Sequence, residues 1–120
     1  MYKISKRFSF SASHILNNLP PHHPCGRLHG HNYVVDIVLR APRLDETGFV
    51  VDYGELSLLK EFINSTLDHQ HLNDVLPFQP STENLAGYLY HWCKDKWTQT
   101  LSVRVSETEK TWAEYCEVQS

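Results

Sequence analysis

The stretch HGHNYVVDIVL, His29 to Leu39, places His29, His31, Tyr33, Val35, Ile37 and Leu39 in alternation with Gly30, Asn32, Val34, Asp36 and Val38. Period two marks a β-strand, whose successive side chains point to opposite faces. The two histidines therefore share a face with large apolar and aromatic groups that must be buried. Upstream, Tyr2, Ile4, Lys6, Phe8, Phe10, Ala12 and His14 form a second, mostly apolar face of period two, so a strand over 2–14 also carries a histidine at its far end on the core side. Residues 15–28 contain Pro20, Pro21, Pro24 and Gly26, which interrupt a ladder and mark a loop.

Downstream, a turn from Ala41 to Gly48 leads to the short apolar run Phe49 to Val51. Asp52 and Glu55 then form a capping-box pattern before a helix expected to bury Leu56, Leu59, Ile63 and Leu67. The polar stretch Asp68 to Asp74 sits at its end, ahead of Pro77 and Pro80. Ser81 or Thr82 caps a second helix carrying Leu85, Leu89, Trp92 and Lys96, with Trp92 and Trp97 as packing anchors. Leu101, Val103 and Val105 alternate up to Glu107, a turn falls near Thr108 to Lys110, and Trp112 to Val118 returns as a hairpin. The pattern is ββ, αα, ββ: an antiparallel α+β layout without repeats or linkers.

A length of 120 residues with 41% hydrophobic content fits one domain over 1–120. The formal charge of −3 argues against a basic field for nucleic acid. No apolar stretch approaches the roughly 20 residues that span a bilayer, and no signal-like segment follows Met1, so a cytoplasmic protein without membrane contact is expected. Cys25, Cys93 and Cys116 are odd in number and widely spaced, which suggests reduced thiols, the last two as inert packing groups.

Eight histidines are many for this length. His29 and His31 present two imidazoles to one point, Gly30 between them leaves room for close approach, and an adjacent antiparallel strand would bring His14 alongside. Three neutral imidazoles suit Zn2+ and leave it an open position for Lewis-acid work, whereas Mg2+ or Ca2+ would want oxygen ligands. The alternative is that one or two of these rings are ordinary core residues. His22, His23 and His91 lack the register and are expected to be exposed. Cys25, four residues before His29, has two readings: a fourth ligand closing a structural site, or a free thiolate whose pKa the metal lowers and which acts as a base. Asp68 beside His69 could orient that imidazole and raise its basicity, or both could simply be solvated. Glu107 continues the core-facing alternation and needs a partner: a ligand with adjacent N–H donors, an arginine or a backbone turn.

Six stretches, FSASH (Phe10 to His14), CGRLHGHNY (Cys25 to Tyr33), TGFVVDYGEL (Thr47 to Leu56), LDHQHLND (Leu67 to Asp74), STENLA (Ser81 to Ala86) and VSET (Val105 to Thr108), run nearly end to end. Together they resemble the 6-pyruvoyltetrahydropterin synthase superfamily. The short spacing from Cys25 to His29 and the run Val50-Val51-Asp52-Tyr53 resemble its queuosine-pathway branch, which forms 6-carboxy-5,6,7,8-tetrahydropterin. Ser13, where the family more often has alanine, and Ser81-Thr82, where proline-threonine is usual, depart from the pattern away from catalytic positions.

The resemblance implies the tunnelling fold (T-fold), in which the ββααββ subunit assembles into barrel-forming trimers and two trimers make a homo-hexamer with active sites between subunits. It implies Zn2+ on His14, His29 and His31, Cys25 as base, Asp68 and His69 as a relay, and Glu107 on the pterin's N–H groups, with Arg27 near the triphosphate. The implied reaction takes 7,8-dihydroneopterin triphosphate to the carboxypterin, acetaldehyde and triphosphate without a nicotinamide. The alternatives are the pyruvoyl-forming reaction of tetrahydrobiopterin synthesis and a non-catalytic zinc module.

Overall fold

A computed structural model describes residues 1–117. Two thirteen-residue strands form its spine: β1 (Tyr2–His14) and β2 (His29–Ala41) pair antiparallel from Tyr2↔Ala41 to His14↔His29 without a slip. Pairing each even position of β1 with an odd position of β2 puts Phe8 beside Val35, Phe10 beside Tyr33, Ala12 beside His31 and His14 beside His29 on one face. That face is the core side: Phe10 and Tyr33 are buried and their rings stack with centroids 4.8 Å apart. The expected alternation holds from Ile4 onward in β1 and through Leu39 in β2, whereas Tyr2, expected on the apolar face, is exposed.

α1 (Ser57–Thr66) and α3 (Thr82–Lys96) carry the apolar groups that cover this face, among them Leu59, Ile63, Leu85 and Leu89. Leu56 and Leu67 are buried as expected but flank α1, Leu56 in a 3-10 turn (Tyr53–Leu56) and Leu67 as the C-cap. The expected capping box is not formed: Asp52 accepts from the Gly54 N–H at 2.8 Å, while Glu55 accepts from Trp97 Nε1 at 3.2 Å and anchors that indole. Ser81, rather than Thr82, caps α3 by accepting from Asn84 N–H. Trp97 is buried, and Trp92 is half-buried with its ring stacked on Phe62.

β4 (Thr100–Thr108) pairs antiparallel with β2, and β5 (Thr111–Cys116) with β4; Val118, expected in that last strand, lies outside the described residues. The alternation expected from Leu101 begins only at Val103. Leu39 pairs with Thr100 and Val38 with Ser102, so Leu101 is the extra residue of a bulge and Thr100 and Ser102 are buried instead. Cys116 is exposed, against the packing reading, whereas Cys93 is buried and burial pushes its thiol up to about 12.

Two elements have no counterpart in the expected order. β3 (Gln70–His71) pairs parallel with β1 at Ala12 and Ser13, making the sheet order β3-β1-β2-β4-β5 and the sheet mixed rather than wholly antiparallel. The short α2 (Leu72–Val75) follows it and buries Leu72. Parallel pairing arises because the chain leaves α1 on the helical layer and returns to the sheet edge beside β1, the geometry of a crossover. No described helix is long and apolar enough to cross a membrane.

Candidate active site and metal centre

The register brings the three histidines together. His14 and His29 are direct cross-strand partners, and His31 is the diagonal neighbour one pleat along the same face. Their ligand atoms lie within 4.8 Å of one another, and no other such group of His, Cys, Asp or Glu occurs among the described residues. Cys25 is outside this group.

The outer nitrogens of two rings determine what the inner ones offer. His14 Nδ1 lies 2.7 Å from the Pro80 carbonyl, and His29 Nδ1 lies 2.6 Å from the Arg27 carbonyl. A carbonyl only accepts, so both Nδ1 atoms carry the proton and both Nε2 atoms present lone pairs. Those two Nε2 atoms are 2.8 Å apart. Two lone pairs at that distance repel unless a cation or a shared proton stands between them. The third ring adds His31 Nε2, a buried nitrogen without a hydrogen-bond partner. Orphaned buried nitrogen is costly, and a metal ion is the partner that satisfies all three rings at once. The residues present therefore fit a metal. Burial is also the main force lowering the pKa of His14 and of His31, with the Glu107 charge acting in the opposite direction. Both rings are thus held in the neutral, ligating form.

Glu107 reaches this cluster from β4, its Oε2 3.4 Å from His31 Nε2 and 3.7 Å from His14 Nε2. A local irregularity aims it there. β4 pairs with β5 at Val105↔Ala113 and next at Thr108↔Thr111, so Ser106 and Glu107 together oppose Trp112 alone. Pairing between β4 and β2 ends at Ser106, and the cleft beyond it is bordered by His31 and Glu107.

Asp68 and His69 form a second pair at the β1 edge. Asp68 Oδ2 lies 2.9 Å from His69 Nδ1, and Asp68 Oδ1 accepts from the Ser11 N–H at 2.9 Å. The Ser11 N–H bond, followed by the His69 side chain, holds the Asp68 pKa below the usual carboxylate value. His69 N–H donates to the Ser11 carbonyl from a left-handed backbone (φ 59°), a conformation uncommon outside glycine. Within one chain the pair makes no hydrogen bond to the triad or to Cys25 among the described residues.

Cys25 lies half-buried in the 3-10 turn Pro24–Gly26, its N–H donating to His23 Nδ1 and its carbonyl accepting from Leu16 N–H at 3.0 Å. Arg27 is exposed, contributes its carbonyl to His29 and has no ion-pair partner among the described residues. His22, His23 and His91 are exposed as expected.

Three supports escaped the sequence reading. The carbonyls of Pro80 and Arg27 set the tautomers, and backbone groups leave no compositional trace. Asn73 clamps the end of β1, with Ile15 N–H donating to its Oδ1 and its Nδ2 donating to the Ile15 carbonyl, each at 2.8 Å. The polar residues preceding Pro77 were the only signal for that clamp.

A mixed sheet with helices on one face, converging ring nitrogens at the end of its central strands and a carboxylate beside them defines a T-fold protein with a candidate metal centre. The model of the family described as 6-pyruvoyl tetrahydropterin synthase matches residues 3–118. The chain is 36% identical over 124 residues to a 6-carboxy-5,6,7,8-tetrahydropterin synthase of Synechocystis, covering 96% of this chain and 93% of that one. It is 28% identical over 144 residues to the Haemophilus influenzae protein of the same name, covering 98% and 100%. Among solved structures it resembles Caenorhabditis elegans 6-pyruvoyl tetrahydropterin synthase with a TM-score of 0.85 at 26% identity, covering 98% and 96%. The chain belongs to the 6-pyruvoyl tetrahydropterin synthase family and is a pterin lyase of that family.

Proposed function

We propose that this lyase converts 7,8-dihydroneopterin triphosphate and water to 6-carboxy-5,6,7,8-tetrahydropterin, acetaldehyde and triphosphate in queuosine (preQ0) biosynthesis, with zinc held by His14, His29 and His31. The observation that carries the reading is the convergence of two lone-pair nitrogens 2.8 Å apart on a third, orphaned one, in a chain matched almost throughout by the family model. The names of the relatives support the carboxy-forming reaction over others.

Zinc, when bound there, supplies Lewis acidity toward the side-chain hydroxyls of the substrate. Cys25, outside the ligand group, is the base that takes the proton from the adjacent C–H. His69 exchanges a proton at a neighbouring hydroxyl through Nε2, because Nδ1 faces Asp68. Glu107 accepts from the amino-pyrimidine N–H groups and so orients the ring toward the reacting groups. Arg27, exposed and unpaired, is available to the triphosphate as it leaves.

The ring is reduced at the expense of the side chain, so the chemistry needs no nicotinamide. The exposure of the His69 side chain, which makes no hydrogen bond to Cys25 in its own chain, favours a site completed by a neighbouring subunit in a cytoplasmic hexamer of two trimers. The pyruvoyl-forming reaction is the second reading, favoured by the likeness to the C. elegans enzyme.

Mass spectrometry of the products formed anaerobically by zinc-loaded protein tests the reading. Carboxypterin with acetaldehyde is expected, a pyruvoyl product would transfer the protein to the second reading, and no turnover would remove both.

A further inference from the structure

We infer that the cleft on the open face of the sheet beside His69, bordered by Ser11, Ser13, Asn32 and His71, receives the triphosphate tail of the substrate. The inference rests on the pterin-triphosphate reading above. The cleft measures about 490 Å3 and runs over Gly30 between β1, β2 and β3. No Asp or Glu lines it directly: Asp68, next to it, has one oxygen on the Ser11 N–H and the other on His69 Nδ1, whereas the second cleft of this face sets Arg7 and Arg104 against Asp36, Glu107 and Glu109. In a chain of net charge −3, a polyphosphate meets less repulsion in the first.

The hydrogen bonds leave donors free. Ser11 Oγ donates to Asn32 Oδ1 at 2.7 Å, so both N–H bonds of the Asn32 amide remain available. Ser13 Oγ lies 2.9 Å from His71 Nδ1. If the hydroxyl donates, His71 Nε2 carries a proton; if Nδ1 donates, the Ser13 hydroxyl proton is free. Either tautomer presents a donor, and hydrogen bonds from such donors to phosphate oxygens are charge-assisted.

Substrate connectivity supplies the second argument. The triphosphate of 7,8-dihydroneopterin triphosphate hangs on the carbon next to those bearing the reacting hydroxyls. Wherever His69 meets those hydroxyls, the first phosphate lies beside it, and apart from Asp68, whose oxygens are taken by His69 Nδ1 and the Ser11 N–H, the polar groups around His69 in its own chain include His71, Ser13, Ser11 and Asn32. The argument is the same whichever subunit supplies the metal.

The test measures dissociation constants by pterin fluorescence on zinc-loaded Cys25→Ala protein, which blocks turnover, for 7,8-dihydroneopterin triphosphate and for unphosphorylated 7,8-dihydroneopterin. Ser13→Ala and His71→Gln are each added to that background, with circular dichroism to verify folding. Each is expected to weaken the triphosphate ligand about tenfold and leave the unphosphorylated one unchanged. Unchanged triphosphate affinity in both variants, or an equal loss for both ligands, overturns the inference while leaving the pterin reading intact. Failure of both pterins to bind the Cys25→Ala parent removes the pterin reading itself, and the inference with it.

Discussion

His14 ends β1 and His69 is bonded to the same strand at Ser11, yet their surroundings are opposite. The His14 side chain is 1% exposed, with one ring nitrogen on a backbone carbonyl and the other against His29, whereas that of His69 is 82% exposed and held only by Asp68 and a left-handed turn. The triad is pre-organised by the cross-strand register, so it can be complete within one chain. The Asp68–His69 corner is poised but uncovered, which suits a group that finishes its site against another surface. The proposed function asks for rigidity where a metal is gripped and exposure where a proton is handed over, and the two regions offer these separately.

Substitutions at the two places separate these demands. His29→Ala removes a ligand and is expected to weaken zinc binding by more than the roughly 100-fold that loss of an outer-shell partner causes, abolishing turnover; competition with a chelator measures it. Cys25→Ala is expected to keep full zinc content by elemental analysis while kcat falls about 1000-fold, the scale of a lost general base. Asp68→Asn at the exposed corner is expected to lower kcat about 10- to 100-fold with zinc unchanged. If zinc is lost as well, the two regions are not independent.

Asn73→Ala removes both bonds to Ile15, next to His14, and is expected to cost about 1–3 kcal/mol in chemical denaturation, with weaker zinc retention as a secondary effect. The smallest effect concerns pH. The folded chain lowers the pKa of His14 and His31 below the value of about 6.5 that they have when unfolded. Protons therefore bind the unfolded state more readily, so the stability of metal-free protein is complete above about pH 6.5 and declines as the pH falls below it. Urea midpoints at pH 7.5 and 5.5 measure that decline.

Much of this contrast was legible in side-chain order. Alternation over Tyr2–His14 and His29–Leu39 identified the two long strands and put all three histidines on the buried face, because a pleated strand has no other way to place them. The helices were readable from Leu59, Ile63, Leu85 and Leu89. Local irregularities were not. The bulge at Leu101 moved Thr100 and Ser102 inward, and the two-against-one step at Ser106 and Glu107 depends on strand pairing that no single segment encodes. β3 is two residues long, too short for any periodicity, and follows directly on the bonds of Asp68 and His69 to Ser11. The contributions of Pro80 and Arg27 come through backbone carbonyls, which any residue could supply.

The claim that three imidazoles hold the metal while Cys25 stays free of it is tested most directly by zinc K-edge X-ray absorption on the loaded protein. The account predicts nitrogen and oxygen scatterers at about 2.0–2.1 Å and no sulfur in the first coordination sphere; a zinc–sulfur distance of about 2.3 Å would make Cys25 a ligand and contradict it.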